Sequence, residues 1–116
     1  MSKVPDFAHL HIHTEYSTLD SIIRIEPLIK YVKELGMSAC AITDHGSLAG
    51  TIEFYKIAKK HGIRPVLGYE SYLTPDADNL ENKDKTRGNV HMGLLAMNMR
   101  FCGSYVVAFP YMSMSM

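Results

Sequence analysis

Three histidines in alternate positions, His9, His11 and His13, stand in the segment FAHLHIHTEYS near the start of this chain. A β-strand sends successive side chains to opposite faces, so a period of two puts the three imidazoles on one side. Ala8, Leu10 and Ile12 then form an apolar face that can pack against helices. Such a strand offers nitrogen ligands to a metal on one side and a core on the other. A His-x-His pair is weak evidence by itself. What strengthens it is a succession of further ligand types at strand ends: Asp20, then Asp44 and His45 in ITDHG, Glu70 in LGYES and His91 in VHMG. Imidazoles mixed with carboxylates suit zinc, manganese or iron. The set exceeds the needs of one tetrahedral ion, so two or three divalent metals are expected. Paired ions about 4 Å apart are a standard arrangement for phosphoester hydrolysis, where they generate hydroxide and clamp the attacking and leaving oxygens.

Each of these residues also has an ordinary use. His9 sits deepest in the strand and is expected to be packed or to orient the ligands from behind. Asp20 alone could cap a helix. Asp44 is expected to orient a liganding His45 without touching metal itself. Glu70 ends an apolar strand, where an unpaired carboxylate would be costly to bury. His61, in KKHG, reads as a cation favoured by a helix C-terminus. Met92, Met97 and Met99 read as core or surface filler. Lys85 and Arg87, in the polar stretch before His91, are candidate phosphate contacts against the plainer reading of solvated charges.

These side chains need a scaffold, and the apolar pattern supplies one. Residues 7 to 13 read as a first strand. In IEPLIKYVKELG, Ile25, Leu28, Ile29, Val32 and Leu35 recur at helical spacing, with Pro27 acceptable in the first turn and Gly36 as the stop. SACAIT (38 to 43) follows as a second strand. TIEFYKIAKKHG predicts a second helix with Ile52, Tyr55 and Ala58 on one face and Gly62 as terminator. RPVLGYESYL (64 to 73) reads as a third strand and VHMGLLAMN (90 to 98) as a fourth, with a long polar loop at 74 to 88 between them. This β-α-β-α-β order with short connections predicts an α/β fold of parallel strands and right-handed crossovers, with its chemistry at the carboxyl ends of the strands. After residue 98 the pattern fails, and MRFCGSYVVAFPYMSMSM shows no helical face.

The 116 residues are enough for one small domain, and 47% apolar content is ordinary. Twelve acidic and twelve basic side chains balance, so no global field favours nucleic acid, a membrane or an acidic partner. Cys40 and Cys102 form no CxxC pattern or disulfide framework. The first ten residues contain no apolar leader core, and no stretch is apolar enough to span a bilayer, so a cytoplasmic location without membrane partners is expected.

The blocks HLHIHTEYSTLDS, AITDHGSLAGTIEFYKIAKKHGIRPVLGYESYL and VHMGLLAMN together resemble the N-terminal part of the PHP (polymerase and histidinol phosphatase) domain. The branch they resemble most opens the bacterial replicative DNA polymerase III alpha subunits. The resemblance covers roughly residues 6 to 98 and implies part of a distorted (β/α)7 PHP barrel with metals at its carboxyl-terminal mouth. Carried over position by position, the family's ligands fall on His11, His13, Asp20, His45, Glu70 and His91. Ser21 stands where the polymerase branch has glycine, and the family's last ligands, a histidine or cysteine and an Asp-x-His motif, would follow residue 98. Residues 1 to 98 are therefore expected to form the N-terminal portion of a PHP domain. Residues 99 to 116 are expected to be an atypical tail, from truncation or a shifted reading frame, and the chain alone is expected to be inactive. Three functions fit the resemblance. One is the opening segment of a polymerase alpha subunit with a metal-dependent phosphoesterase-type site, acting in DNA replication with DNA, a proofreading exonuclease and other replisome subunits as partners. Another is a stand-alone phosphatase of the histidinol-phosphate type. The third is a structural module that docks a proofreading subunit.

Overall fold

A computed structural model describes residues 7–73 and 90–98 of the chain. Helix α1 spans Ile25–Glu34, strand β1 Ala39–His45, helix α2 Thr51–His61, strand β2 Arg64–Leu73 and strand β3 Val90–Leu95. The three strands form one sheet in the order β1-β2-β3. Strands β1 and β2 are parallel, with α2 as the crossover between them. No helix among the described residues is long and apolar enough to cross a membrane.

Helix α1 carries Pro27 in its first turn, where no intrahelical N–H is needed, and ends ahead of Gly36 at φ +76°. Its buried stripe is Ile25, Ile29 and Val32; of the other two residues expected on that face, Leu28 is half-buried and Leu35 is exposed at the helix end. Helix α2 ends on Gly62 at φ +75°, a left-handed cap that glycine adopts without a Cβ penalty. Its buried face is Thr51, Phe54 and Ala58, not the expected Ile52, Tyr55 and Ala58: Ile52 is exposed and Tyr55 half-buried. Phe54 has more apolar surface to hide than any neighbour, and turning it inward rotates Ile52 to solvent. Both helices cover one face of the sheet, where Cys40 and Ile42 of β1 and Leu67 of β2 meet them in a core closed by Ile63.

Two expectations about the sheet need correction. Residues 7 to 13 are not a regular strand. They run beside β1 in the same direction, with the Ala41 N–H donating to the His9 carbonyl and the Thr43 N–H to the Ile12 carbonyl, both at 2.8 Å. Two residues of β1 thus face three of the leg, so one residue bulges and the period of two fails between His9 and Ile12. Leu10, expected in the core, is half exposed, whereas Ile12 packs against it.

The other correction is direction. Strand β3, expected to be parallel, is antiparallel to β2, with Glu70 opposite Gly93 and Tyr72 opposite His91. A strand that enters the sheet with its ligand first must run antiparallel if that ligand is to reach the carboxyl end of its neighbour. The observed architecture is therefore a mixed α/β sheet containing a parallel pair. The segment 74 to 89, with its expected loop, and the expected tail 99 to 116 lie outside the described residues.

Candidate metal centre

The register of the sheet assembles the site. His45 is the last residue of β1 and pairs with Glu70, so both project from the same face, the one opposite the helices. Tyr72 lies two residues beyond Glu70 on that face, and its partner His91 sits beside it. Gly93 stands opposite Glu70, and a Cβ there would meet nothing within 4 Å, so the space above the carboxylate stays open. The leg before β1 brings in His11 and His13 from the other edge.

Glu70 is the hub. One carboxylate oxygen, Oε2, contacts His13 Nε2 and lies 3.4 Å from His11 Nε2. The other, Oε1, lies 3.5 Å from His91 Nδ1. The His45 and His91 rings meet edge to face with centroids 4.4 Å apart. Two groups of ligand atoms result, His11 with His13 and Glu70, and His45 with Glu70 and His91, each with all its atoms within 4.8 Å. Glu70 is buried at 7% exposure. Burial alone would raise its pKa, but the hydrogen bonds and charges of His13 and then His11 outweigh it and hold the carboxyl below its ordinary value.

The donor set fits divalent transition metals. Zinc–nitrogen bonds of about 2.0–2.1 Å in a tetrahedron separate ligand atoms by roughly 3.3 Å. The Nε2 atoms of His11 and His13 lie 3.4 Å apart and converge on the same carboxylate oxygen. Behind His13, the Nδ1–H donates to Asp20 Oδ2 at 2.7 Å, the carboxylate–imidazole arrangement that fixes a ligand's tautomer and leaves Nε2 forward. The turn carrying Asp20 includes Leu19 at φ +70°, an unfavourable backbone for leucine, and the Ser21 hydroxyl donates to the His13 carbonyl at 2.6 Å.

Of the sequence-identified residues, His11, His13, His45, Glu70 and His91 come together, and Asp20 touches the cluster through His13. Two expectations differ. His9 is exposed, its ring edge against Phe7 at 4.9 Å, because the bulge separates it from His11 and His13. Asp44 does not orient the His45 ring. It is buried and accepts from the Thr14 N–H at 2.5 Å and from the Thr14 and Ser17 hydroxyls, each at 2.8 Å. Asp44 and Tyr69 form the register pair before His45–Glu70, so Asp44 points to the opposite face and ties down the 14–17 turn. Ser17, which donates to Asp44, accepts at its Oγ from the His45 backbone N–H at 2.9 Å, so the link from Asp44 to His45 runs through the backbone and not the ring. His61 lies in the last turn of α2, and its buried Nε2 has no hydrogen-bond partner among the described residues. Met92 and Met97 are exposed. Met99, Lys85 and Arg87 lie outside the described residues.

Sequence reasoning missed Tyr72. Its hydroxyl lies 2.5 Å from His45 Nδ1, and its ring packs against His45 and His91 with centroids 4.7 and 5.0 Å away. The signal was the alternation within ESY, which puts Glu70 and Tyr72 on one face of any strand.

The family model described as PHP domain matches residues 9–104. The DNA polymerase III subunit alpha of Helicobacter pylori strain 26695 is 50% identical over 98 residues, 84% of this chain and 8% of that protein. That of Borreliella burgdorferi is 44% identical over 99 residues, 84% of this chain and 9% of that protein. The chain thus spans less than a tenth of the length of these relatives. Among solved structures, a protein from Bifidobacterium adolescentis described as a metal-dependent phosphoesterase superposes with a TM-score of 0.54 at 23% identity, covering 76% of this chain and 26% of that one. An amidohydrolase from Chromobacterium violaceum has the same TM-score, identity and coverage. At that identity the two structures speak for the fold alone.

Proposed function

The chain belongs to the PHP domain family, and from that premise we propose that its histidine–glutamate cluster is a divalent-metal phosphoesterase-type site in the N-terminal segment of a bacterial DNA polymerase III alpha subunit. The observation that carries this reading is the division of Glu70, whose Oε2 faces His11 and His13 while Oε1 faces His91. A carboxylate with one oxygen for each histidine group is suited to bridging two ions. Bound there, zinc, manganese or iron would supply Lewis acidity at a phosphoryl oxygen and a hydroxide nucleophile at neutral pH. The protein's part is to hold the ligands: Asp20 fixes His13, Glu70 links the groups, and the Asp44 bonds anchor the turn between His13 and Asp20. Lys85 and Arg87 remain candidates for contact with the phosphate.

The polymerase assignment rests on relatives 44–50% identical over this region. DNA and other replisome subunits, a proofreading exonuclease among them, are the partners it carries, in the cytoplasm where replication proceeds. Full hydrolysis is assigned to the longer polypeptide, in which further family ligands would follow residue 98. The test grafts residues 1–98 onto the Helicobacter pylori alpha subunit in place of the matching segment. Chelator-sensitive phosphoester hydrolysis that is lost in His13→Ala while DNA synthesis persists is the expected result. Hydrolysis that is absent, or unchanged in His13→Ala, would overturn the reading.

A further inference from the structure

Two of the site's imidazoles have a partner behind them, and the two partners differ. His13 Nδ1 faces Asp20, and an ionised carboxylate can only accept, so Nδ1 carries a proton. His45 Nδ1 faces the Tyr72 hydroxyl, which can donate or accept. If the hydroxyl donated, the imidazole proton would be left on Nε2, and the nitrogen remaining for an ion would have no free lone pair. If Nδ1–H donates to the tyrosine oxygen, the Nε2 lone pair of His45 is left for an ion. The tyrosine is 37% exposed, so its own proton can turn to solvent.

We propose that Tyr72 is the positioning residue of His45, accepting the Nδ1 proton and so committing Nε2 to the metal. The inference rests on the metal-site reading above, but its direct readout does not. The same strand that provides Glu70 provides Tyr72, and register brings Tyr72 beside His91 as well. Its ring therefore walls the His45–His91 group while its oxygen selects the tautomer. This arrangement gives the second group of ligands a counterpart to the Asp20–His13 pair, built from a neutral residue in place of a carboxylate. A neutral acceptor holds the tautomer without adding a negative charge next to Glu70.

The experiment uses the full chain without metal, with nitrogen-15 labelled histidine, and reads the tautomer of His45 from its ring-nitrogen shifts, assigned with His45→Ala. The expected wild-type state has the proton on Nδ1, and Tyr72→Phe is expected to move it toward Nε2. Phenylalanine keeps the ring contacts, so circular dichroism should be unchanged. Zinc affinity, measured by competition with a chromogenic chelator, is expected to fall by about 10–100-fold in Tyr72→Phe. A wild-type His45 protonated on Nε2 would overturn the proposal without any variant, as would a tautomer or zinc affinity unmoved in a folded Tyr72→Phe. If wild type carries the expected tautomer yet binds no zinc, the tyrosine's hold on His45 stands and the metal-site reading fails.

Discussion

Gly68 is the place where a single methyl group should disturb both fold and site. It lies in β2 on the ligand face, between Thr43 of β1 and Leu95 of β3. A Cβ at this position would sit 2.4 Å from the Leu94 carbonyl oxygen, 2.8 Å from Leu95 Cδ2 and 3.2 Å from Thr43 Cγ2. The nearest of these is backbone and cannot rotate away, so β3 must retreat by about 1 Å to restore an ordinary contact near 3.5 Å. Overpacking of this kind costs about 1–3 kcal/mol. With a urea slope of roughly 1–2 kcal/mol/M for a small domain, Gly68→Ala should lower the unfolding midpoint by roughly 1 M, read by far-ultraviolet circular dichroism. Gly93→Ala is the internal control, because a Cβ there meets nothing within 4 Å. It should stay within about 0.5 kcal/mol of wild type. Retreat of β3 also carries His91 away from Glu70, so metal affinity should fall in Gly68→Ala and hold in Gly93→Ala. Equal midpoints for the two variants would refute the reasoning, since they differ only in the space each methyl finds.

Asp44→Ala removes the acceptor for three buried donors, and should cost about 3 kcal/mol or more in the same urea titration. A loss below about 0.5 kcal/mol would show that the 14–17 turn does not depend on it. Burial pushes the Cys40 thiol up to about 11 from 9.0, so in a Cys102→Ser background Cys40 should react with a disulfide reagent at pH 8 at least about 100-fold more slowly when native than in urea. Because the unfolded thiol ionises first, stability should fall as pH rises from about 9 toward 11, and a flat profile over that window would contradict the burial.

Much of this was legible in the sequence because the underlying signals are periodic. The stripe Ile25, Ile29 and Val32, the stops at Gly36 and Gly62, and the strand 64 to 73 follow from spacing that local geometry enforces. The convergence of His11, His13, His45, Glu70 and His91 was legible for the same reason. What escaped depends on contacts between segments. The bulge that detaches His9 is a matter of how the leg meets β1. The reversal of β3 is set by pairing across sixteen intervening residues that carry no apolar period. Asp44 looked like a partner of His45 because adjacent residues are near in sequence, yet neighbours on a strand face opposite ways.

The central claim is that Glu70 joins two histidine groups into one metal centre, and anomalous diffraction from crystals grown with zinc, recorded on either side of the zinc edge, tests it most directly. The expected map has one peak about 2.0–2.2 Å from His11 Nε2, His13 Nε2 and a Glu70 oxygen, and another about 3.5–4 Å away beside His45 and His91. A map whose zinc peaks lie elsewhere, with Glu70 still bonded only to protein, would contradict it.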